Sequence, residues 1–100
     1  MLIWIPVDRE DPKDAQIVPV AEVASWALVE FDAGEVKSVR FYDNHEAFGE
    51  WVDFVILANA FEPYIDYMNE GMMVLCVREE RTIEEIMEAY KFKELDEVGF

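Results

Sequence analysis

An α/β domain built on a mixed sheet is what this sequence predicts, and three patterns carry that expectation. Val52 to Ala58 and Met72 to Val77 are nearly unbroken apolar runs, the pattern of strands covered on both faces. Between them, and again after the second, lie segments with helical start and stop signals. Earlier in the chain, two runs rich in Val, Phe and Trp flank Asp32-Ala33-Gly34-Glu35, a strong hairpin signal. One hundred residues suit one domain, residues 1–100, with a modest core.

Taken in order, Leu2 to Val7 is aliphatic and aromatic and forms a first strand. Asp8 to Gln16 is polar, contains Pro12 and reads as exposed loop. Ile17 to Val20 is short, apolar and broken by Pro19, an edge extension or simply loop. Ala24 to Phe31 and Val36 to Tyr42 are the arms of the hairpin, the second with one wet face. Asn44 to Glu50 has room for barely more than one helical turn, with Asn44 as its N-cap.

After the strand Val52 to Ala58, Glu62 caps a helix that has Pro63 at its first position and Gly71 at its end. Tyr64, Ile65 and Met68 share one side of it. Thr82-Ile83-Glu84-Glu85 fits a capping box. Ile83, Ile86, Met87 and Tyr90 then form the inward stripe of a last helix, whose end carries Lys91 and Lys93 in accord with the helix dipole. Glu94 to Phe100 is expected to be partly ordered at best. The order is β, β-hairpin, short α, β, α, β, α, which implies a mixed sheet with one antiparallel strand and a parallel final pair.

Composition excludes several roles. The chain is 53% hydrophobic, which argues for a folded core despite a formal net charge of −15. Twenty-three acidic residues against eight basic ones repel nucleic acid and anionic lipid, so neither is an expected partner. Cys76 is the single cysteine, so no intrachain disulfide exists. No apolar run approaches the roughly 20 residues needed to span a bilayer. The N-terminal stretch lacks the basic region of a signal peptide, and a cytoplasmic protein is expected.

Signals of chemistry are sparse. His45 is the only histidine; beside Asp43, Asn44 and Glu46 it is a conceivable metal ligand, but transition-metal sites ordinarily take three or four. The plainer reading is an exposed polar residue. Cys76, inside an apolar strand, reads as a small buried hydrophobe. Asp8 and Asp43, each ending a strand, could together hold Mg²⁺ for phosphodiester hydrolysis, against which the acidity of the surface argues. Met68, Met72, Met73 and Met87 read as core filler, and Trp4, Trp26 and Trp51 as partly buried anchors. No Cys/His pair or Ser on a sharp turn suggests nucleophilic catalysis.

The opening MLIWIPVD, the segment IVPVAEVASWALVEFDAGEVKSVRFYDN and the final VDFVILANAFEPYIDYMNEGMMVLCV with RTIEEIMEAYKFKEL together resemble the dinitrogenase iron–molybdenum cofactor biosynthesis family, the NifX-like domain. The likeness rests on order, spacing and hydrophobic pattern over nearly the whole chain. It implies a ribonuclease-H-like three-layer fold with five strands, here with the first helix shortened. It also implies a non-enzymatic accessory role, with iron–sulfur or iron–molybdenum precursor clusters as the family's cargo.

Departures from the family pattern qualify that role. Where members carry a His-Phe-Gly-Arg-like stretch, this chain has Val20, Ala21, Glu22 and Val23, and the family's glycine-rich turn is here Asn59-Ala60-Phe61-Glu62. The usual cluster-binding residues are thus largely missing. The expectation is a small accessory or binding protein without a cofactor of its own, with Asp8, Asn44, His45, Asn59 and Glu62 as candidate ligand-binding residues. The alternative is a metal or cluster carrier using His45 with neighbouring carboxylates. Shortening of the first helix would bare Phe48, Trp51 and Phe54, implying a homodimer or a protein partner over them.

Overall fold

The computed structural model describes residues 1–99 and contains a six-stranded mixed sheet with a helix on each face. The strands are β1 (Leu2–Val7), β2 (Ser25–Asp32), β3 (Glu35–Tyr42), β4 (Phe54–Leu57), β5 (Met73–Cys76) and β6 (Asp96–Glu97). Helix α1 (Ile65–Asn69) joins β4 to β5, and α2 (Ile83–Lys91) follows β5. The strand order is β3-β2-β1-β4-β5-β6. β1, β4 and β5 run parallel, whereas β2 pairs antiparallel with both β1 and β3, and β6 antiparallel with β5.

The ribonuclease-H-like plan of five strands with one antiparallel is therefore not met in detail. The sixth strand comes from the tail. Leu95 and Val98 are buried on opposite sides of the sheet and pin it, so Asp96 and Glu97 pair with Cys76 and Leu75. Alternation of apolar residues over so few positions is too short a pattern to stand out. Phe100, part of the same expected tail, lies outside the described residues.

The hairpin forms as its sequence suggests. Asp32 and Glu35 pair across Ala33 and Gly34, both with positive φ (52° and 78°), the two-residue turn whose twist matches its strands. Helix α2 begins with the full capping box: Thr82 Oγ1 accepts from the Glu85 N–H at 3.2 Å, and Glu85 Oε1 accepts from the Thr82 N–H at 3.1 Å. Its stripe of Ile83, Ile86, Met87 and Ala89 packs on Ile3, Ile5, Val7, Val29, Ile56 and Leu75.

The other face departs further. Residues 43–50 form a turn and not a helix: Asn44 Oδ1 accepts from the Glu46 N–H at 3.0 Å and its carbonyl from the Ala47 N–H at 3.2 Å, but no further turn is added. Gly49 has φ +76°, and the next segment reaches β4 in extended form. Sheet cover here comes from side chains, with Trp4, Trp26, Tyr67, Val52 and Met72 buried together. Trp51 is no anchor, being 63% exposed, and Met68 and Met73 lie on the surface while Met72 and Met87 are buried. Among the described residues no helix is long and apolar enough to cross a membrane.

Candidate functional site

The carboxyl ends of β1, β4 and β5 lie at one end of the sheet, where parallel α/β sheets leave a crevice for ligands. Three segments converge there on the aromatic face: the loop containing Pro19–Ala21, the turn after β3, and the start of α1. Between them lies a groove of about 710 Å³ lined by Pro19, Val20, His45, Glu62, Tyr67 and Glu70, among others.

Glu62 holds two of these segments together. Its Oε1 accepts from the Val20 N–H at 2.6 Å and its Oε2 from the Asn59 N–H at 3.2 Å. The expected role of Glu62 as helix cap is therefore replaced: Tyr64 occupies the N-cap position of α1 with no side-chain cap bond. The carboxylate is captured by a loop 42 residues away in sequence, because that loop's 3-10 turn (Val20–Glu22) points a free N–H at it. Asn59 stays within its own turn, its Oδ1 accepting from the Phe61 N–H at 2.9 Å.

His45 is not the exposed residue its polar neighbours suggest. Its ring lies 5.0 Å from that of Trp26 and 5.2 Å from that of Tyr67, and its side chain is 19% exposed. Nε2 faces Glu70 Oε2 at 3.6 Å. Tyr67 is itself buried, and its phenol is held above its ordinary pKa first by desolvation and then by the charges of Glu62, Glu70 and Asp66.

The structure thus brings His45 and Glu62 into one groove. Asn44 only shapes the turn behind His45. Asp8 is elsewhere, engaged by the Arg9 guanidinium at 3.0 Å and the Gln16 N–H at 2.9 Å, which together hold its carboxyl below the usual range. Phe48, Trp51 and Phe54 do not form one patch. Phe48 packs edge-on to Trp4 on the aromatic face, Phe54 packs with Tyr90 on the α2 face, and Trp51 projects outward. Tyr67, Asp66 and Glu70 went unnoticed in the sequence, although their spacing from Pro63 puts them within reach of one side of a helix.

The donors here do not suit a metallocluster. Iron–sulfur clusters are held by thiolates, and Cys76 is 4% exposed in β5, its thiol pushed up by burial. Among the described residues no three His, Cys, Asp or Glu side chains converge closely enough for a metal ion, and the Asp8 carboxylate is already engaged by Arg9 and the Gln16 N–H.

No family model matches the chain, and no curated protein matches its sequence. Solved structures do match its backbone. A Methanocaldococcus jannaschii protein provisionally named a dinitrogenase superposes with a TM-score of 0.74 at 16% identity, over 99% of this chain and 95% of that one. A Thermotoga protein provisionally named NifB superposes with a TM-score of 0.77, also at 16% identity and with the same coverage. At such identity the likeness establishes a shared α/β fold.

Proposed function

We propose that the chain is a small, non-enzymatic accessory protein of the NifX-like kind, working by binding at the groove between Val20, His45 and Tyr67. The observation that supports this most is the tie from Glu62 to Val20 and Asn59, which fixes the groove walls without needing a ligand. Exposed Phe61 and Ile65, 95% and 56% accessible, flank the same end of α1 and suit contact with a partner protein or a second copy.

Amide NMR of the labelled protein against a mixed small-molecule library tests the binding role. Perturbations concentrated at Val20, His45, Tyr67 and Glu70 are expected; hits that map only elsewhere would remove the groove from consideration. Anaerobic reconstitution with iron and sulfide addresses carriage separately. Stoichiometric metal that disappears in His45→Ala would replace the accessory reading with the carrier one. Light scattering at high concentration reports the oligomer, and a clean monomer would leave only a partner protein for the exposed apolar side chains.

A further inference from the structure

Four of the groove's lining residues are acidic, Glu46, Glu62, Asp66 and Glu70, and none is Lys or Arg. The Lys and Arg ion pairs among the described residues, Arg9–Asp8, Lys37–Glu35 and Arg78–Asp96, all lie outside it. Negative charge alone would be an ordinary solvated surface. Tyr67 makes it more than that. The residue is only 6% exposed and lines the groove, yet its hydroxyl makes no hydrogen bond among the described residues. A buried tyrosine hydroxyl normally finds a partner. Among the described residues no side-chain oxygen or nitrogen is both sealed from solvent and unpaired, so the phenol oxygen reaches solvent, and Tyr67 lines the groove.

The chemistry of that ligand follows from its acceptors. A carboxylate or phosphate would meet like charge on every acidic wall. A compact metal ion needs closely converging donors, which the groove lacks. Spaced carboxylates, a free phenol oxygen and the apolar flanks of Pro19, Val20 and Pro63 instead suit an extended cation with N–H groups and a methylene stem. The volume of about 710 Å³ accommodates several methylene units.

We propose that the groove binds an aliphatic alkylammonium chain, the Tyr67 hydroxyl and the Asp66 and Glu70 carboxylates receiving its N–H groups. The proposal rests on the groove being the binding site, and deepens that reading by naming the ligand class. Free polyamines and lysine side chains of a protein share this chemistry.

Calorimetric and amide-NMR titrations with spermidine and with a capped Lys-Lys-Lys peptide, at physiological ionic strength, distinguish the two sources. One saturable site centred on Tyr67 and Glu70 is expected, the tighter ligand identifying the source. Tyr67→Phe keeps the ring and removes only the hydroxyl, and should weaken binding about tenfold. Asp66→Asn combined with Glu70→Gln should weaken it by at least as much, with unchanged thermal unfolding of both variants confirming their fold. Equal binding by wild type and variants, shifts spread over the whole acidic surface as with Mg²⁺, or no saturation by either ligand would overturn the proposal. A neutral or anionic library hit seated in the groove, with no amine binding, would sink the cation and leave the groove standing.

Discussion

The two faces of the sheet solve the same burial problem with different materials. On one, a nine-residue helix with a complete capping box lays Ile83, Ile86 and Met87 on the aliphatic side chains of β1, β4 and β5. On the other, the regular cover is the five-residue α1, and the connection from β3 to β4 forms no helix. Aromatic rings fill that gap. Trp4 makes edge-on contacts with Trp26, Tyr42 and Phe48 at centroid distances of 6.1, 5.6 and 6.2 Å. A few large rings bury as much surface as a longer aliphatic stripe, because each removes on the order of 150–250 Å² from water. They cannot tile an end of the sheet as a helix does, and the groove lies where that tiling stops.

The largest test of this contrast is Trp4→Ala, which removes the ring that three others meet. Unfolding in denaturant should show a loss of about 3–5 kcal/mol, whereas Ile86→Val on the α2 face should cost about 0.5–1.5 kcal/mol. Equal costs would mean that the rings are peripheral. Next comes Glu62→Ala, which strands the Val20 and Asn59 N–H groups. A loss of about 1–3 kcal/mol is expected, with hydrogen exchange accelerated at Val20 and unchanged within α2. Exchange that rises equally on both faces would show that the groove wall is not a separate unit.

Thr82→Ala should lower stability by about 1 kcal/mol by removing the α2 cap, with no change in ligand binding at the groove. Acid unfolding probes the same side. Glu85 is held below its ordinary value of 4.5 by the Thr82 N–H and then the Arg81 N–H, and Asp8 below 3.8 by Arg9 and then the Gln16 N–H. A carboxylate whose folded pKa is depressed contributes stability in full above its unfolded value and loses it as pH falls through the folded one. Stability should therefore decline below the 3.8–4.5 range, and Glu85→Gln should flatten that limb. An unchanged acid limb would assign the decline to other groups. The smallest effect lies at the hairpin turn: Ala33 has φ 52°, so Ala33→Asn should raise stability by up to about 1 kcal/mol.

Much of the regular structure was legible because its signals are local. A capping box needs only Thr82 and Glu85, and the hairpin only Asp32 to Glu35 between strand-forming runs. Misreadings arose where partners are distant. Glu62 beside Pro63 looks like a cap, but Val20 claims its carboxylate. His45 among Asp43, Asn44 and Glu46 looks exposed, but Trp26 and Tyr67 enclose its ring. The tail from Glu94 has too few residues to show a period, yet burial of Leu95 and Val98 makes it the sheet's sixth strand.

Local signals in the chain specify the α/β class, the parallel pairing of β4 with β5, the hairpin and the start of α2, because periodicity, turn residues and caps act over a few positions. The groove was decided only by tertiary structure. Its walls come from residues near 20, 45 and 65, joined by a carboxylate–amide bond and ring contacts whose partners are about 20 to 40 residues apart. No local pattern encodes that meeting, since it exists only after the sheet has set the strand ends side by side.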